Sequence, residues 1–110
     1  YCEEWSDPPM AAGNWVPDAV DAAGGRYPFV DAGDRSQAVG QEIVVNADPD
    51  HAVLHICGTG DDVSPDRLRE RGWSLDAEVH VVDDSLLNQP SPKLIDGIEL
   101  LAARLYPECV

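Results

Sequence analysis

Apolar positions recur along this chain in two alternating rhythms, short runs and helical stripes. Tyr1 to Trp5 reads as the end of a strand. From about Asn14 to Ala23 the apolar residues Trp15, Ala19 and Ala23 return every fourth position, predicting a helix that Gly24-Gly25 stops. Arg26 to Arg35 is polar, holds Pro28 and Gly33, and reads as a surface connection. Ser36 is placed to cap a helix running to about Ala47, with Val39, Ile43 and Ala47 on one face, and Pro49 prevents its continuation. Ala52 to Cys57 is continuously apolar except for His55, the pattern of a strand covered on both faces. Ser64-Pro65 opens a short helix through Arg71, and Glu78 to Val82 is a further strand. Ser91-Pro92 repeats the serine-then-proline device before a long helix to Leu105 striped by Leu94, Ile98, Leu101 and Leu105.

This alternation predicts a single α/β domain over residues 1–110, with a mainly parallel sheet, right-handed crossovers and helices on both faces. In such sheets ligands sit beyond the carboxyl ends of the strands. Those ends carry Trp5 to Met10, Cys57 to Thr59 and Ser85 to Gln89, so three separated segments are expected along one edge. The first of them stands out. Pro8 and Pro9 fix the backbone and remove two donors, while Trp5, Met10 and Trp15 offer flat, polarizable area that loses little entropy when something docks.

Composition narrows the chemistry. Twenty-one acidic residues against seven basic ones make nucleic acid a poor partner, because backbone recognition neutralises phosphates with Lys and Arg. The acid is spread along a chain that is 44% apolar, which argues against charge-driven disorder. Asp outnumbers Glu fourteen to seven and Lys93 is the single lysine, a balance suited to solubility in high salt. The start at Tyr1, on strand sequence without a leading methionine or apolar targeting stretch, reads as a fragment.

Three cysteines without a CxxC spacing indicate neither a zinc site nor a disulfide scaffold, and Cys57 is expected to be a buried small hydrophobe. His51, His55, Cys57 and His80 are the soft ligands to weigh for a metal. His55 and Cys57 would share a strand face, yet a hydrogen-bonded neutral imidazole is the commoner outcome inside an apolar strand, and no metal site is expected. Asp61-Asp62 and Asp83-Asp84 read as solvated neighbours. A stand-alone enzyme using Cys57 and His55 is the reading from a different functional class, although no third residue orients the pair. No catalytic residues are assigned.

Four segments, in order, resemble the C-terminal lobe of the substrate-binding proteins that feed ABC importers of cobalamin and iron chelates, the cobalamin-binding branch above all. They are Glu4 to Asp18 (EWSDPPMAAGNWVPD), Ala22 to Gly25, Ala47 to Asp50 leading into Ala52 to Gly58, and Pro90 to Leu101. The resemblance implies one lobe of a two-lobed fold, at the extracellular face of the membrane or in the periplasm, holding ligand between the lobes without a bound cofactor. It implies a half-site of Trp5, Asp7, Pro9, Met10, Asn14, Gly58, Thr59, Leu86 and Leu87 for cobalamin or another corrinoid, with an iron siderophore or haem as the alternative. It further implies docking on a permease, and through it an ATPase, near Asn88, with Asp83 or Asp84 supplying the acid.

Overall fold

The computed structural model describes residues 1–109, the side chain of Cys109 excepted. Its centre is a five-stranded sheet in the order β3-β2-β1-β4-β5, built from β1 (Cys2–Ser6), β2 (Pro9–Ala11), β3 (Gln37–Ala38), β4 (His51–Leu54) and β5 (Glu78–Val81). β1, β4 and β5 are parallel, as the crossover pattern requires. The sheet is nevertheless mixed rather than mainly parallel: β2 folds back on β1, and β3 on β2, both antiparallel. The physical reason is the tight turn at Asp7-Pro8, which returns the chain before any helix begins.

Among the described residues, four α-helices cover both faces: α1 (Val16–Ala22), α2 (Gln41–Ala47), α3 (Arg67–Glu70) and α4 (Lys93–Leu105). Period-two alternation divides the strands between two cores. Tyr1, Ala11, Ala52 and Leu54 face Val44 of α2 and Leu68 of α3, with Trp73 closing the layer. Cys2, Val53 and Val82 face Val16 and Val20 of α1 and Leu101 of α4. Leu54, Leu87 and Leu101 are among the largest fully buried side chains, each contributing roughly 1.5–3 kcal/mol by removal from water.

The stripe on α4 is as expected, with Leu101 buried and Leu94, Ile98 and Leu105 packed beside it. The segment before Pro49 is not. The helix begins at Gln41 rather than near Ser36, and its buried residue is Val44, while Ile43 and Ala47 face solvent. Ser36 caps no helix; its Oγ accepts from the Gly13 amide at 2.9 Å. The polar connection after Gly25 sends Tyr27, Phe29 and Val30 into the cores. β4 ends at Leu54, three residues before Cys57, which is exposed rather than buried. Among the described residues no helix is long and apolar enough to cross a membrane.

Candidate functional site

Hydrogen bonds stitch the three strand ends into one rim. The Cys57 amide donates to the Glu4 carbonyl at 2.9 Å, beside Trp5. Arg67, on α3, donates to Ser6 Oγ at 2.8 Å. The last segment joins through Asp84, whose two carboxylate oxygens each accept a main-chain amide, from Gly58 and Gly60, at 2.9 Å. Both glycines hold positive φ, 81° and 59°, a conformation that costs other L residues and here turns two amides toward one carboxylate.

Trp5 owes its position to a bulge. The β1–β2 register opposes Glu3 to Ala11 and then Trp5 to Met10, so β1 spends one extra residue. Without that slip Trp5 would share a face with Glu3. With it, Trp5 and Met10 are directly opposed and stand side by side on the face away from Ala11. The Trp5 indole N–H donates to the Asp7 carbonyl at 3.1 Å, and the ring remains 48% exposed. Asp7 is exposed, while Pro9 and Met10 are half-buried.

The other expected residues divide. Gly58 is exposed at the rim, and half-buried Thr59 turns its hydroxyl onto the Ile56 carbonyl at 2.6 Å. Leu86 is half-buried in the 3₁₀ turn Asp84–Leu86. Leu87 is removed from the half-site: it is 0% exposed in the core under α1 and α4, and its carbonyl accepts the Trp15 indole N–H at 2.6 Å. That bond makes Trp15 an anchor of α1. Asn14, at φ 57°, is tied to the turn at Gly33 and Asp34 on the β2–β3 edge, where its main chain bends into α1.

The three residues expected to dock a permease all have internal partners. Asp83 accepts from the Ser85 amide at 2.9 Å, which holds its carboxyl below the ordinary carboxylate range. Asp84 is committed to the glycine loop. Asn88 clamps His55, accepting from the ring at Oδ1 and donating from Nδ2 to the His55 carbonyl at 3.0 Å. Because Nδ2 must be the donor there, the ring proton sits on Nδ1 and Nε2 is left buried with no hydrogen-bond partner. Cys57 is therefore not paired with that nitrogen, and the two residues do not share a strand face.

No family model, curated protein sequence or solved structure is matched by this chain. The site is consequently read from its own geometry.

Burial lowers the His55 pKa to about 4, outweighing the opposing Asn88 bond and the charges of Asp84 and Glu3. The folded state refuses a proton that the unfolded chain accepts near pH 6.5. Stability is thus whole above about pH 6.5, falls as pH drops toward about 4, and loses on the order of 3 kcal/mol across that window. Denaturation at a series of pH values checks this: subtracting the profile of His55→Gln from that of the native chain isolates a slope confined to the window.

Sequence reasoning missed the buried group beneath the rim. Glu3 is 0% exposed, accepts both guanidinium nitrogens of Arg71 at 2.7 and 2.8 Å, and takes the Tyr1 hydroxyl at 2.7 Å. Arg71 also lies 4.6 Å over the Trp73 ring. The available signal was a carboxylate at the alternate position between Tyr1 and Trp5, on a strand whose period-two pattern turns that position inward.

Proposed function

We propose that this chain is one lobe of a solute-binding protein that captures cobalamin or a related corrinoid between two lobes and delivers it to the permease of an ABC importer. The observation that carries the reading is the rim itself: strand ends from three parts of the sequence meet at one edge, with Trp5 half exposed and opposed to Met10. A flat macrocycle gains most from a rigid aromatic and a polarizable thioether that need little reordering. Leu86, packed on the α1 and α4 side, extends the apolar shelf, whereas Pro9 alternates to the other face beside Ser6; the exposed Asp7 carboxylate is free to accept amide N–H groups at a corrin periphery.

The remaining polar groups orient and do not react. Asp84 consumes the Gly58 and Gly60 amides, and Thr59 satisfies its own turn, so the middle loop presents a preformed surface rather than open donors. Docking on the permease falls to Asp83, which commits only Oδ1 to Ser85, whereas Asp84 spends both oxygens. The protein acts at the extracellular face of the membrane or in the periplasm, and its chemistry is noncovalent throughout.

Equilibrium dialysis of the full chain against cyanocobalamin, at millimolar protein to compensate for a single lobe, tests this. Trp5→Ala raises the dissociation constant about tenfold, the loss of a central aromatic contact. Equal capture by the variant and the native chain contradicts the reading. Uptake of a ferric siderophore or haem in place of the corrinoid replaces the ligand within the same transport role.

A further inference from the structure

A second constellation lies at the opposite edge of the sheet, at the amino ends of β4 and β5. Their parallel register opposes His51 to Glu78 and Val53 to His80, so His51, Glu78 and His80 share one face. That face is the one covered by α1 and α4, since Ala52 and Leu54 belong to the other core. His51 Nδ1 stands 2.9 Å from His80 Nε2 and 3.8 Å from Glu78 Oε2. All three ligand atoms lie within 4.8 Å of one another. The rings stack at 24° with centroids 5.2 Å apart.

Two imidazole nitrogens in contact must share something. In the neutral pair it is a proton, donated by one ring to the lone pair of the other. A metal ion satisfies the same two lone pairs and adds the carboxylate. We propose that His51, Glu78 and His80 form a binding site for a divalent transition ion of the zinc, nickel or copper class. Imidazole nitrogen selects these ions, whereas calcium and magnesium prefer all-oxygen shells.

The geometry needs only small adjustments. Tetrahedral zinc at ordinary bond lengths sets its ligand atoms about 3.3 Å apart, inside the range already present. The Glu78 side chain is 71% exposed and swings freely, while the two half-buried rings are held by the sheet. Burial is the main influence lowering the His80 pKa; Glu78 opposes it, and His51 and Arg104 add to it. Three protein ligands leave a fourth position open, and His51 also lines a cavity of about 910 Å³ with Asp48, Asp50 and Tyr27. Spacing along the chain did not expose this trio, because cross-strand register, not proximity in sequence, brings it together.

The chain has three histidines, which makes the test direct. The full chain, labelled with nitrogen-15 histidine, is titrated with zinc alone in the presence of excess calcium. One equivalent shifts the Nδ1 resonance of His51 and the Nε2 resonance of His80 and leaves buried His55 unchanged. His80→Gln and His51→Gln each weaken zinc binding at least as much as the 10–100-fold that follows loss of an outer-shell partner. Glu78→Gln, whose side chain is exposed and whose fold is secure, weakens it as well. Unshifted His51 and His80 resonances at one equivalent, or affinity undiminished in all three variants, overturns the site and assigns any bound zinc to the acidic surface.

Discussion

Replacing Arg71 with alanine destabilises the protein by about 3–5 kcal/mol, the cost of leaving a buried carboxylate without its cation. That is a large share of the roughly 5–15 kcal/mol by which domains are stable. The effect is this large because Glu3 is 0% exposed and the Arg71 side chain only 18% exposed, so water cannot replace the lost fork of hydrogen bonds. Tyr1 is part of the same group, and its hydroxyl alone cannot neutralise the charge; desolvation and the Glu3 carboxylate both push the Tyr1 pKa up, keeping the phenol protonated. Removing both charges behaves differently. The pair Glu3→Gln with Arg71→Met recovers most of the loss, because an uncharged amide costs far less to bury. Chemical denaturation of Glu3→Gln, Arg71→Met and the double variant measures the coupling; additive losses would contradict it.

Alanine at Gly97 is expected to destabilise, although the same change in an exposed helix interior stabilises by about 1 kcal/mol. A Cβ there would sit 2.5 Å from the Leu86 carbonyl oxygen and 3.0 Å from Leu87 Cδ2. The first neighbour is main chain and cannot swing aside. Either α4 withdraws or the turn at Asp84–Leu86 moves, and overpacking of this kind costs typically about 1–3 kcal/mol. The consequence reaches the rim, because that turn positions Asp84, and Asp84 holds the amides of Gly58 and Gly60. Thermal denaturation gives the stability change, and faster amide exchange at Gly58 and Gly60 reports the displaced turn. A raised melting temperature with unchanged exchange would refute the close approach.

The elements that sequence made legible are those with local cause. Ser91-Pro92 and the leucine stripe announce α4, Gly24-Gly25 ends α1, and the apolar run at Ala52 marks β4. β2 and β3 were hidden because three residues beginning with proline, and then only two, are too short to show a period. Those two strands are what make the sheet mixed. The rim was legible as three strand ends, since strand ends follow from element order alone. Its occupants were less so: of two adjacent leucines, Leu87 packs inward and Leu86 stays at the rim, a choice made by a 3₁₀ turn without a repeating signature. Long-range pairs were beyond reach. Glu3 and Arg71 are 68 positions apart, and His51 meets His80 only through strand register.

The three tryptophans offer the most direct test of the rim, because Trp5 is exposed, Trp15 is bonded to Leu87 and Trp73 is buried. Nitrogen-15 spectra of the full chain, recorded during titration with cyanocobalamin to millimolar excess, follow all three indole N–H signals at once. The Trp5 signal is expected to move together with the amides of Gly58, Thr59 and Leu86, while Trp73 stays in place. A corrinoid seat on the rim is contradicted if Trp5 is unmoved, or if the changes gather at Gly24 to Tyr27 and Asp48 to His51, around the cavity at the other edge of the sheet.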